Sequence, residues 1–166
     1  LLQNRKSGNY RVLLWKTDTT SKNALALNFN HEDKVLRDLF HDKRFRVALS
    51  HAINRKELNE VAFFGLGEPR QCAPMENSKY YVPGYADAYT EFDREKANRL
   101  LDEVGCQRPA PGAFRRRADG DVLALTIETT EWNDMEVLQL VADHWRAVGI
   151  KADVKQMARQ LYFKRR

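Results

Sequence analysis

Apolar positions along the chain change period several times, and each change marks an element. Tyr10-Arg11-Val12-Leu13-Leu14-Trp15 is rich in β-formers, and Ala24-Leu25-Ala26-Leu27-Asn28-Phe29 is a second short apolar run beyond the polar residues 17–23. Two strands joined by a polar connection are predicted. From Asp42 the spacing turns helical: Phe45, Ala48, Leu49, Ala52 and Ile53 share one face of a helix of about 3.6 residues per turn. That helix should stop near Asn54. Asn54-Arg55-Lys56-Glu57 then has the spacing of a capping box, in which the Asn side chain accepts from the Glu57 backbone N–H. It opens a second helix with Leu58, Val61 and Ala62 inward, ending at Gly65, which suits a left-handed cap.

Residues 65–91 carry Gly65, Gly67, Pro69, Pro74, Pro83 and Gly84 without a sustained period, and read as one long loop bearing Tyr80, Tyr81, Tyr85 and Tyr89. So much aromatic content argues for an ordered loop. Asp93 caps a helix with Ala97, Leu100, Leu101 and Val104 inward, closed by Gly105. Arg115 to Gly120 signals a turn before a strand at Val122–Glu128. Asn133 and Glu136 repeat the capping-box spacing ahead of a helix with Val137, Leu138, Val141, Trp145 and Val148 inward, stopped by Gly149. Ile150 to Val154 alternates as a strand, and residues 157–165 begin another helix. The order β-β-α-α-loop-α-β-α-β-α predicts an α/β (α+β) fold, a mixed sheet with helices packed on it.

A chain of 166 residues corresponds to about one domain. With 43% hydrophobic and 31% charged residues, and only 8 Gly and 5 Pro, collagen-like, low-complexity and disordered classes are disfavoured. No run approaches the roughly 18 apolar residues that a membrane-spanning helix needs, so a soluble chain is expected. It opens at Leu1 with neither an initiator Met nor a signal-peptide pattern, and reads as a processed or excised piece. Cys72 and Cys106 are too far apart for a CxxC motif and are expected to be free thiols.

Candidate chemistry is sparse. His31, His41, His51 and His144 show no metal-ligand spacing, so neither metal nor cofactor is expected. No nucleophile-elbow, phosphate-loop or zinc-protease motif appears, which argues against an enzyme. The net charge of +5, the run Arg115-Arg116-Arg117 and the terminal Lys164-Arg165-Arg166 would suit a basic nucleic-acid-binding module. The plainer reading is a solvated turn and a charged chain end, with no nucleic-acid partner. Tyr80 and Tyr81 could form a stacking surface or pin the loop to the domain; both readings stand.

Several stretches, in order, resemble the family 5 solute-binding proteins of ABC transporters, the oligopeptide and dipeptide receptors. Asp42-Lys43-Arg44-Phe45-Arg46-Val47-Ala48-Leu49-Ser50-His51-Ala52-Ile53-Asn54-Arg55 is similar to the family signature D-x-R-[VF]-R-x-A-L-x-x-A-I-[DN]-R. Gly65-Leu66-Gly67-Glu68-Pro69, the element from Phe92 to Gly105, the turn Asp119-Gly120 and Trp145-Arg146-Ala147-Val148-Gly149-Ile150 follow in family order. Asn28, ending an apolar run, also fits.

The resemblance implies part of the second lobe of a periplasmic-binding-protein-like fold, so residues 1–166 are expected to form a single partial domain of a larger two-lobed receptor. It implies a monomer, periplasmic or otherwise extracytoplasmic and with a lipoprotein form conceivable, that captures peptides and delivers them to a membrane ABC permease. The acidic residue that pairs with a peptide's ammonium lies in a stretch with no counterpart after Leu161. Ligand contacts are expected from Asn28, Gly67, Arg70 and Gln71, with Tyr80 and Tyr81 as further candidates. Arg70 could hold a ligand carboxylate as a bidentate fork or be a solvated loop arginine. Arg44 and Arg46 read as structural, tying their helix to neighbouring acids.

Overall fold

The computed structural model describes residues 6–13, 23–131 and 134–165. Its first helix, α1 (Lys34–His41), has no counterpart among the predicted elements. Asp33 caps it by accepting from the N–H groups of Val35 and Leu36, while Leu36 and Phe40, four residues apart, form its buried stripe. α2 (Lys43–His51) follows at once, capped by Asp42, and buries Phe45, Ala48 and Leu49, with Ala52 and Ile53 continuing that face. Asn54 caps α3 (Arg55–Phe63) by accepting from Glu57 N–H at 3.2 Å, as its spacing predicts. Leu58 is buried and Ala62 packs on the core, but Val61 turns to solvent. The left-handed cap falls on Phe64 (φ 53°) and is continued by Gly65 (φ 73°).

After the loop, Asp93 caps α4 (Arg94–Glu103), whose Ala97 and Leu101 are fully buried on the helix that packs against α2. β1 (Ala124–Thr129) leads through α5 (Met135–Ala147) to β2 (Lys151–Gln156), and the two strands pair in parallel from Ala124 with Lys151 to Thr129 with Gln156. Parallel neighbours need a crossover, and a helix supplies it here. Gly149, at φ 89°, makes the turn from α5 into β2; a Cβ there would collide with the Arg108 guanidinium. α6 (Arg159–Arg165) closes the described chain.

The sheet is smaller than predicted. Among the described residues it has two strands, plus isolated antiparallel bridges that link Arg116 to Gln107 and to Val122. Residues 24–28 run without helix or strand assignment because no described strand lies alongside them. Residues 10–13 carry no strand assignment either, while Leu14 and Trp15 lie outside the described residues. The predicted cap at Asn133 also lies outside them, and α5 starts from Asp134.

One apolar core joins α1 to α5 with the strands; Phe45, Leu101, Leu123, Val148 and Ile150 have no measurable exposure. Burying each such side chain contributes about 1.5–3 kcal/mol. Trp145 lies in the last turn of α5 and its indole N–H donates to Leu49 O of α2 at 3.1 Å, so this helix pair is joined by packing and by one buried hydrogen bond.

Candidate binding groove

A groove of about 970 Å³ opens over α2, α3 and α5, within the usual size range for small-ligand sites. Its floor is apolar: Leu49, Ile53, Leu58, Val137, Val141 and Trp145 line it. Two segments without regular structure form the upper walls, residues 23–29 on one side and 67–75 on the other.

Ser50, near the end of α2, organises the polar wall. Its hydroxyl donates to Tyr89 O at 2.7 Å and accepts from Arg55 Nη2 at 2.7 Å and Gln71 Nε2 at 3.1 Å. Arg55 also donates to Ser50 O and Thr90 O, and Gln71 to Ala88 O. Gln71 N–H donates to Ala86 O at 2.7 Å, drawing the two ends of the long loop together. Burial pulls the Arg55 pKa down, against an opposing pull from Glu91. Tyr89 holds φ 58°, unusual for a bulky residue, and the Lys43 ammonium sits 5.4 Å from its ring centre.

Asn59 of α3 clamps Gly67: its Oδ1 accepts from Gly67 N–H at 2.8 Å and its Nδ2 donates to Gly67 O at 2.9 Å. A Cβ on residue 67 would come within 2.8 Å of that oxygen, so the clamp requires glycine. Arg70 lines the groove next to it. Its Nη1 lies 3.9 Å from Met75 Sδ, and its buried Nε has no hydrogen-bond partner.

The structure thus brings Gly67, Arg70 and Gln71 together on one wall. Asn28 stands between lining residues Leu27 and Phe29, but its side chain accepts from Asn30 N–H and does not line the groove. Tyr80 and Tyr81 lie in the loop beyond it; Tyr80 is 68% exposed, with Lys79 against its ring. Lys43, Ser50, Arg55, Asn59 and Trp145 belong to the lining without having been singled out as ligand contacts.

Two arginine expectations change. Arg44 does pair with an acid, Asp42, at 2.7 Å, whereas Arg46 donates to the Phe40 and His41 carbonyls and stacks over Phe29. Two of the three arginines of the run are taken up by the fold, while Arg116 stays exposed and donates to Gly120 O. Arg115 is 2% exposed and donates to Val148 O, Cys106 O, Asn98 Oδ1 and Asp102 Oδ1. Arg117 pairs with Asp33, Asp119 and Asp121. These bonds bind the run into the fold because it threads between the ends of α4 and α5.

Among the described residues no group of three or more His, Cys, Asp or Glu could hold a metal ion, and no helix is long and apolar enough to cross a membrane. Residues 2–166 match the family model described as bacterial extracellular solute-binding proteins, family 5 middle. An ABC transporter-binding protein of Deinococcus radiodurans is 26% identical over 140 residues, 83% of this chain and 23% of that protein. A solved oligopeptide-binding protein, OppA, superposes with a TM-score of 0.89 at 40% identity, over 99% of this chain and 26% of that one. The oligopeptide-binding protein of Thermus thermophilus, complexed with a pentapeptide, gives a TM-score of 0.68 at 28% identity, over 82% and 23%. The chain therefore spans about a quarter of the length of the relatives it matches.

Proposed function

Because this chain belongs to the bacterial extracellular solute-binding proteins of family 5, we propose that it forms part of the second lobe of a receptor that captures peptides outside the cytoplasm and delivers them to an ABC permease. The observation that carries the reading is the superposition of nearly the whole chain on about a quarter of an oligopeptide-binding protein. The receptor works as a periplasmic or lipid-anchored extracytoplasmic monomer, binds without covalent chemistry and has no nucleic-acid partner. Arg115 and Arg117, two of the basic residues that a nucleic-acid partner would have used, are engaged by carboxylates and carbonyls of the fold itself.

In this reading the groove is one wall of the peptide cleft. Gly67, Arg70 and Gln71 contact the solute, and the Ser50–Arg55–Gln71 network fixes the loop that carries them. Affinity needs the facing wall as well, because a peptide held on one side leaves its polar groups in water and forgoes the closure that would surround them. Calorimetry of the isolated 166 residues with a mixed peptide library should therefore show nothing tighter than about 1 mM, worth about 4 kcal/mol, while the full-length receptor binds far more tightly. A micromolar complex of the isolated chain overturns the partial-lobe reading. RNA affinity that falls steeply with salt overturns the peptide-receptor reading itself.

A further inference from the structure

We infer that Ser50 is a positioning residue for solute binding: it holds the Gln71 amide so that its oxygen is offered to the groove as an acceptor for an N–H donor of the solute. This rests on the peptide-receptor reading and gives one of its contacts a polarity. Every partner of the Ser50 hydroxyl has a fixed role. The Tyr89 carbonyl, at 2.7 Å, can only accept, and Arg55 Nη2, at 2.7 Å, can only donate. The Gln71 amide is oriented by its other neighbour. The Ala88 carbonyl, 2.9 Å away, only accepts, so the amide nitrogen must face it, and the same nitrogen donates to Ser50 Oγ at 3.1 Å. A hydroxyl donates once and accepts twice. Ser50 therefore lines the groove with nothing left to offer a solute.

The Gln71 nitrogen is likewise spent on Ser50 and Ala88, and the Gln71 backbone N–H goes to Ala86 O. Its Oε1 accepts from no described residue and is not buried, so on a residue that lines the groove it remains the open end of the amide. Asn59, on the same wall, differs: its Oδ1 and Nδ2 are both engaged by the Gly67 backbone. An amide pinned at its nitrogen has lost rotamer freedom before the solute arrives, and that ordering no longer weakens binding. Arg55 steadies the serine in turn by donating to Ser50 O at 2.9 Å. The backbone N–H of a peptide suits such an acceptor. A terminal ammonium offers the same chemistry, and the experiment separates the two.

The test uses the full-length receptor and calorimetry with pentaalanine, its analogues in which one backbone N–H at a time is replaced by an ester oxygen, and N-acetyl pentaalanine. Losing the donor that meets Gln71 should weaken binding about fivefold, the worth of one neutral hydrogen bond. Gln71→Met should cancel that one loss and leave the losses at other positions unchanged. Cancellation of an ester effect identifies a backbone N–H, and cancellation of the acetylation effect identifies the terminal ammonium. Ser50→Ala should cancel much of the same loss although Gln71 is present, and Ser50→Thr, which keeps a hydroxyl, should restore it. Should Gln71→Met fail to fold, the comparison of Ser50→Ala with Ser50→Thr reads the same coupling. Losses that neither variant alters, or a uniform weakening of every peptide, overturn the inference and leave the receptor reading intact. No binding of any of these peptides by the parent overturns the receptor reading, and the inference with it.

Discussion

Arginine plays two different parts on the two sides of this molecule. At the junction of α4, α5 and β1, Arg115 is buried and Arg117 nearly so, and the two meet Asp102, Asp33, Asp119 and Asp121. Over the groove, Arg46, Arg55 and Arg70 meet carbonyls, a hydroxyl and a thioether. A guanidinium saturated by carboxylates and carbonyls has its charge consumed by the fold, and serves as a many-armed structural tie. One fixed by neutral acceptors has no ion-paired partner, although Glu91 tempers the charge of Arg55 and Asp42 that of Arg46. Residue type and clustering in sequence reverse this assignment: three consecutive arginines suggest a charged patch, whereas the scattered ones make it.

The floor shared by both sides gives the largest expected effect. Trp145→Ala removes a 4%-exposed indole and its bond to Leu49 O, and should cost about 3–5 kcal/mol in chemical denaturation. A loss under about 1 kcal/mol, typical of surface changes, would mean that α5 does not seat on α2 as described. Next comes the comparison itself. Arg115→Met takes its donors away from the Val148 and Cys106 carbonyls in the interior and should cost about 3 kcal/mol. Arg70→Gln, on the groove wall, should change stability by less than about 0.5 kcal/mol. Equal costs at the two positions would erase the distinction drawn between structural and available arginines.

How far the fold was legible follows from the range of the forces involved. Helices α2 to α5 announce themselves through apolar period and caps, since both are set by residues three or four apart; Asn54 with Glu57 and Asp93 with Lys96 bond as their spacing predicts. α1 escaped because Leu36 and Phe40 are its only buried residues in a polar stretch. The apolar run 24–29 resembled a strand, yet a strand exists only with a partner, and among the described residues no strand lies alongside it. The groove was the least legible part. Ser50 joins Arg55, Gln71 and Tyr89 across as many as 39 positions, and Arg115 meets Val148 across 33. No local pattern encodes such pairings. Gly67, Arg70 and Gln71 came from a family resemblance, whereas the apolar floor beneath them was read only as core.

Acid titration sharpens the account of the saturated side. The Arg117 hydrogen bond, joined by the N–H of Leu36, holds the Asp33 carboxyl below its ordinary value of 3.8. A depressed carboxyl stabilises the fold at every pH above its unfolded value and loses that contribution as pH falls through the folded one. Asp33→Asn keeps a competent helix cap and removes the ion pair alone. The variant should therefore be the less stable protein at neutral pH, and its urea midpoint should converge with the parent's as pH falls below 3.8 and through the depressed folded value. Parallel curves across that range would show that Arg117 gains nothing from Asp33.

The smallest effect concerns the thiols, one on each side of the comparison. Cys72 is exposed on the groove lining, whereas Cys106 is 1% exposed beside Arg115, and burial pushes its pKa up to about 11. Only the thiolate reacts with thiol reagents, so at a pH of about 8 Cys106 is protected twice, by its environment and by its protonation. One equivalent of reagent should react promptly with the native protein and a second only after denaturant is added. Stability should hardly change on labelling Cys72. Two prompt equivalents would mean that the Arg115 junction opens readily in the native state, which a network of buried bonds to Val148, Cys106 and Asn98 does not permit.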